Sequence, residues 1–153
     1  MAQEHDNIDL AILRRLQKDA SVSVDEIGDR VALSRNACWR RIKRMEEDGT
    51  IRKRVALVEP EAVDLGQMVL VMIRTNAHDP EWLRRFRAAV IEMPEIMGAH
   101  RMSGDLDYVL RVRVRDVKAY DQFYQRLIAK VPVANVSASF VMEDIKDTTE
   151  LPL

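Results

Sequence analysis

The sequence predicts an α+β protein in two parts: an N-terminal winged helix-turn-helix domain over residues 1–56 and a C-terminal ferredoxin-like domain, βαββαβ, over residues 57–153. Three observations predict it. Apolar residues recur at helical spacing three times in the first third of the chain, with acidic or capping residues at each start. From Met68 onward, strand-like runs and two amphipathic helices follow in the order strand, helix, strand, strand, helix, strand, the split βαβ arrangement. The charge balance also changes: residues 1–56 hold 12 Lys/Arg against 10 Asp/Glu, and residues 57–153 hold 12 against 15.

In the first part, Ile8, Ala11, Ile12 and Leu16 make one helical stripe, behind Asp6 and Asp9, which suit a helix N-terminus. Ser23-Val24-Asp25-Glu26 is a capping box, and Val24, Ile27 and Val31 form the buried stripe of a short second helix. Ser34 caps a third helix with Cys38, Ile42 and Met45 inward. Gly49 ends that helix as a left-handed residue. Ile51–Val55 reads as an extended basic ribbon with Arg52 and Arg54 on one face.

In the second part, Met68–Thr75 is apolar enough to be a buried strand. Asp79-Pro80 caps and starts a helix over Glu81–Glu92 with Leu83, Phe86 and Val90 inward, and Pro94 stops it. Ile96–Met102 and Tyr108–Arg115 are strands around Ser103-Gly104-Asp105. Asp116–Lys130 is a helix with Tyr120, Phe123, Tyr124 and Leu127 on one face, and Val136–Glu143 is the last strand. Both helices then cover one face of an antiparallel sheet, and the other face needs a partner. Strand 108–115 sets Leu110, Val112 and Val114 against Arg111, Arg113 and Arg115, and the arginine face suits an interface where Glu143, Asp144 or another acid meets it.

Composition narrows the function. With 153 residues, 47% apolar and 32% charged, the chain folds and is not low-complexity. A net charge of -1 excludes a basic nucleic-acid coat but not a local basic patch. The single cysteine, Cys38, fits a reducing cytoplasm, and it reads as a small core residue. The central apolar run, Met68–Ile73, is far shorter than the ~18 residues of a membrane helix, and the acidic N-terminus is unlike a signal peptide. Three histidines and one cysteine build no zinc cluster or nucleophile triad, and no phosphate-cradling glycine loop is present. No cofactor, metal or catalytic residue is expected.

The basic patch lies in Ser34–Met45, which carries Arg35, Arg40, Arg41, Lys43 and Arg44 and no acid. On a helical wheel Asn36, Arg40 and Lys43 lie opposite the apolar stripe, with Trp39 and Arg44 at the edges. Arg can fork onto guanine, Asn onto adenine, and Lys can neutralise phosphate, which suits a major-groove helix. The short second helix and the tight turn at Ala32-Leu33 complete the motif, and Arg52, Lys53 and Arg54 reach flanking phosphates. A basic run is ordinarily only a solvated face. Here the missing acids, the capped three-helix setting and the ribbon coincide. Trp39 either packs on the groove wall, stacks on Arg35 or closes the small core.

Ser103-Gly104-Asp105-Leu106-Asp107-Tyr108 puts a glycine and two carboxylates at the mouth of a strand pair. Asp105 or Asp107 could accept from the ammonium group of an amino acid. Backbone N–H groups beside Gly104, with Ser137 or Ser139, could bind its carboxylate. Spacing alone describes an ordinary turn just as well.

The chain resembles the Lrp/AsnC, or feast/famine, regulators of bacteria and archaea along essentially its whole length. The matching strings are Asp6-x-x-Asp9 with Ile12-Leu13, Leu33-Ser34, Arg41-Ile42, and Glu46 through Gly49-Thr50-Ile51. In the second part they are Leu65-Gly66, Ser103-Gly104-x-x-Asp107-Tyr108, and Ile145-Lys146-x-Thr148-Thr149-x-Leu151-Pro152-Leu153. Cys38-Trp39-Arg40-Arg41, Glu92-Met93-Pro94-Glu95 and Met102-Ser103-Gly104 are similar to a proteobacterial branch that includes cysteine-responsive members. The resemblance implies a DNA-binding first domain, and a second domain that dimerises sheet against sheet. It further implies association to octamers, and small effectors, usually amino acids, held between dimers near the glycine turn. Met102, Ser103, Gly104, Asp105, Asp107 and Tyr108 become effector residues on that ground. Lys130–Asn135 departs from the family in lacking a glycine after the proline. An enzymatic alternative exists, since siroheme decarboxylases resemble the same fold family and His100 beside Arg101 could serve an acidic tetrapyrrole. The intact Asn36/Arg40/Lys43 face argues for the regulator.

Overall fold

The computed structural model describes residues 5–76 and 79–153. Their internal contacts form two compact units, 1–57 together with 146–153, and 58–145. The first unit holds α1 (Asn7–Lys18), α2 (Val24–Arg30) and α3 (Arg35–Glu47). Each helix starts where a short polar side chain accepts an orphan backbone N–H: Asp6 from Asp9, Ser23 from Glu26 and Ser34 from Ala37. Ile12, Ile27, Cys38, Ile42 and Met45 close the core between them. Gly49, at φ +81°, ends α3 as expected.

The turn between α2 and α3 is tight because two residues accept unusual geometry. Ala32 takes a left-handed φ of +56°, and the Leu33 N–H bonds back to the Gly28 carbonyl at 2.9 Å. A Cβ on Gly28 would meet the Leu33 oxygen at 2.8 Å. Gly28→Ala is therefore expected to splay α2 from α3, lowering the melting temperature of the three-helix unit by roughly 5–10 °C, as about 1–2 kcal/mol of strain would. Thermal unfolding followed by circular dichroism checks this.

A carboxylate cluster ties α1 to α3. Asp9, 2% exposed, accepts from Arg41 at 2.8 Å through one oxygen and from Arg44 at 2.5 Å through the other, and Arg41 also reaches Asp6 at 2.8 Å. The Asp9 backbone N–H, then Arg41, hold the Asp6 carboxyl below its ordinary value of 3.8, and Thr50 does the same for Asp48. A carboxylate that binds protons less readily folded than unfolded stabilises the fold above its unfolded value. That contribution is lost as pH falls through the lower folded value. The melting temperature of the helical unit should thus be level above about pH 5 and fall modestly as pH drops below about 3.8, in melts recorded at stepped pH.

The second unit is a four-stranded antiparallel sheet in the order β2-β3-β1-β4, made of β1 (Gln67–Arg74), β2 (Ile96–Arg101), β3 (Tyr108–Val114) and β4 (Asn135–Phe140). Helices α4 (Pro80–Glu92) and α5 (Val117–Lys130) cover one face. Val69, Val71 and Ile73 of β1 and Leu110, Val112 and Val114 of β3 point to them, packing with Phe86, Phe123 and Leu127. A short 3₁₀ turn, Pro60–Val63, precedes β1.

Four expectations shift. The fully buried stripe of α4 is Trp82, Phe86 and Ala89, continued by Met93 just past the helix, with Leu83 and Val90 at its flank. Trp82 wins the inward place because it stacks on Phe86 at 5.0 Å and its indole N–H finds the Pro132 carbonyl at 2.6 Å. The basic ribbon Ile51–Val55 pairs with no strand among the described residues. Strand β4 stops at Phe140, beyond which the Val141 N–H still reaches the Met68 carbonyl. Arg113 meets Asp144 of its own chain at 3.7 Å, and also donates to the Gly66 carbonyl at 3.0 Å. Among the described residues no helix is long and apolar enough to cross a membrane, and no cluster of His, Cys, Asp and Glu could hold a metal ion.

Candidate functional site

Docking of α3 through Cys38, Ile42 and Met45 leaves its opposite face in solvent. Asn36, Arg40 and Lys43 are exposed there, and Trp39, 49% exposed, is not part of the core. The first turn of α3 carries no acid, and Ser34 caps it, so its positive end can meet an anion.

The cations differ in how firmly they are already held. Among the described residues no carboxylate pairs with Arg40 or Arg52. Lys43 and Arg54 share Glu46, at 2.8 and 2.9 Å. The Lys43 hydrogen bond, with both positive charges, holds Glu46 below the usual carboxylate range. Arg35 lies 3.4 Å from Asp25, both well exposed. Exposed pairs of this kind contribute only about 0–1 kcal/mol, so a phosphate displaces them easily. Arg44 is different. Its partner Asp9 is buried, and abandoning it would leave a desolvated carboxylate short of a donor. Arg44 therefore faces α1, where the wheel had set it at the edge of the outward face.

The glycine turn is anchored at the end of the sheet. Gly104 has φ +120°, the Met102 N–H bonds to the Asp107 carbonyl at 2.9 Å, and the Asp107 N–H bonds to Ile73 at 3.0 Å. The Asp107 carboxylate accepts the Thr75 N–H at 2.8 Å. That bond fastens the turn onto β1 through one carboxylate oxygen, and Asp105 is the more exposed of the two carboxylates. Ser137 and Ser139 pair with Met72 and Leu70 across β4 and β1. The turn joins β2 and β3, so these serines stand two or more strand spacings away, about 10–14 Å. One amino acid cannot span Asp105 and either serine within a single chain.

A groove of about 310 Å³ opens beside the turn between α4 and β2. Leu83, Phe86, Val90 and Ile91 give it an apolar wall, and Arg87, Arg101 and Tyr108 are polar members. Arg101 and Tyr108 are paired neighbours on the strands that flank the turn. Sequence reasoning missed this groove because its wall comes from α4, far from the turn in the chain. It also missed Gly28 and the tether on Arg44. A glycine inside a seven-residue helix was the available signal for the first.

Comparison with known proteins bears on both regions. Residues 5–52 match the family model for winged helix-turn-helix DNA-binding, and residues 68–151 match the Lrp/AsnC ligand binding domain. The chain is 46% identical over 149 residues to the DNA-binding transcriptional activator DecR of Escherichia coli, covering 97% of this chain and 98% of that protein. It superposes on the crystal structure of an AsnC family transcriptional regulator from Agrobacterium tumefaciens with a TM-score of 0.93 at 53% identity, covering 97% of both chains. A transcriptional regulator from Neisseria meningitidis, solved as its L-Met complex, superposes with a TM-score of 0.92 at 33% identity over 97% of both chains.

Proposed function

The chain belongs to the Lrp/AsnC family of transcriptional regulators, and from that premise we propose how its own residues read DNA and sense a ligand. It is a DNA-binding regulator and not an enzyme. His100 and Arg101, the basis of the tetrapyrrole alternative, gain no support from these relatives.

The α3 front enters the major groove of double-stranded DNA. Asn36 and Arg40 contact base edges there, and Trp39 lies against the groove wall. Ser34 at the helix start, Arg35, Lys43, Arg52 and Arg54 contact phosphates. Arg44 acts from behind, by holding α3 to α1. The observation that carries this reading is the exposed Arg40, on a helix whose apolar back is fully docked. Footprinting upstream of its own gene tests it.

A small amino acid is the effector. Its ammonium group meets Asp105, its carboxylate meets the N–H groups around Gly104 or the Arg101 guanidinium, and its side chain enters the apolar groove. Met102 and Tyr108 border the site. Ser137 and Ser139 can join only from a second copy of the chain, which fits a site between dimers. The open sheet face, with Leu70 and Arg111 exposed on it, joins two copies, and dimers assemble further to octamers. The cytoplasm, where DNA and free amino acids meet, is the place of action.

Two substitutions separate the parts of this site. In a thermal-shift screen of the twenty amino acids, one or a few should raise the melting temperature of wild type by several degrees. Asp105→Asn should abolish that shift while leaving the ligand-free melting temperature within about 1 °C, as for an exposed residue without a partner. Asp107→Asn should also lower the ligand-free melting temperature, because it weakens the acceptor of the Thr75 N–H. An unchanged shift in Asp105→Asn would remove Asp105 from the site.

A further inference from the structure

We propose that α1 carries a receptor for the segment Lys146–Leu153, and that this segment is a strap holding the reading unit for paired half-sites. The contacts are of an unusual kind. Gln17 grips one residue at both backbone groups: its amide nitrogen donates to the Leu151 carbonyl at 3.2 Å, and its amide oxygen accepts the Leu151 N–H at 2.6 Å. Arg14, one turn earlier on the same face, donates from Nε to the Leu153 carbonyl at 2.7 Å. All three bonds go to main chain, so α1 recognises the backbone of the segment and not its side chains. Pro152 stiffens that backbone, and the Leu153 N–H folds back onto the Leu151 carbonyl at 2.9 Å.

The side chains add little burial, since Leu151 is 66% exposed. Exposed hydrogen bonds without a buried apolar contact open readily, so the strap is releasable. Its position in the chain gives it a consequence. The first unit consists of residues 1–57 and 146–153, so the chain passes between the units twice. One passage, the exposed stretch 52–58, has no secondary structure. The other follows β4 and ends in the grip of α1. A single linker leaves a reading domain free to turn, whereas a second fastened tether restricts it and raises its effective concentration at the second half-site. A symmetric pair of reading helices needs that restriction, because their half-sites lie a fixed number of helical turns apart.

The strap's role rests on the DNA reading above, and the test separates the two. The full chain is compared with its Arg14→Ala/Gln17→Ala double variant, using a half-site selected in vitro on wild type. Amide hydrogen exchange at Leu151 should be at least about ten-fold faster in the variant. Wild type should prefer two half-sites at the selected spacing over the same pair set five base pairs further apart by about ten-fold or more. In the variant that preference should fall below about three-fold, with affinity for one isolated half-site kept within about two-fold, which also shows the unit folded. Unchanged exchange at Leu151 overturns the receptor. Faster exchange with the spacing preference intact overturns the strap's role. A wild-type protein that selects no half-site overturns the DNA reading, and the role built on it.

Discussion

Arg40→Ala should lower affinity for the specific site by at least about thirty-fold, and Asn36→Ala by a similar factor, in a gel-shift titration. A bidentate contact from Arg or Asn to a base is worth about 1–3 kcal/mol, and a symmetric pair of reading helices makes it twice. Neither substitution should move the melting temperature, since both side chains are exposed on α3. Lys43→Ala should act differently. Its ammonium group already has Glu46 as a partner, and its target on DNA is phosphate. The loss should be only a few-fold, equal on specific and non-specific DNA, with a salt dependence shallower by about one counterion per helix. Equal losses for Arg40→Ala on specific and random DNA would place Arg40 on the backbone instead.

Asp9→Ala should be the most destabilising change in the reading unit. It removes a buried carboxylate that two arginines and, through Arg41, the Asp6 cap converge on. Breaking a buried pair costs about 3–5 kcal/mol when the remaining charge stays buried. Here Arg44 is half exposed and can turn to water, which brings the cost to about 2–3 kcal/mol. For a unit of this size that corresponds to a fall of roughly 10–20 °C in melting temperature, with operator affinity falling alongside. Arg44→Ala should cost less, because Arg41 still donates to one of the two Asp9 oxygens. If Asp9→Ala melts like wild type, the cluster is not what joins α1 to α3.

Most of the architecture could be read from spacing alone, because each element carries a local signal that its packing does not oppose. Ser23, Ser34 and Asp79 cap where their sequence context says they should. Gly49 takes the left-handed conformation that ends a helix, and Phe123 and Leu127 are buried at the expected spacing. What escaped was set by contacts between distant residues. Arg44 is drawn toward α1 by Asp9, 35 positions away, and no wheel contains that pull. Trp82 takes the inward face of α4 because a carbonyl 50 positions away receives its N–H. The bond from the Thr75 N–H to Asp107, which distinguishes it from Asp105, joins residues 32 positions apart. Ser137 and Ser139 were joined to the glycine turn by chemistry alone, and the strand order sets them apart. The grip of Gln17 on Leu151 has no periodic signature, because it is made to the backbone.

Methylation interference reports whether the charged front of α3 lies in the major groove with Arg40 on a base. Methylating guanine N7 alters only the major-groove edge. N7 methylation at one or more guanines in each half-site should block wild type, and Arg40→Ala should become indifferent to at least one of those positions while still binding at low salt. Interference confined to the minor groove, or a pattern identical in wild type and Arg40→Ala, would contradict it.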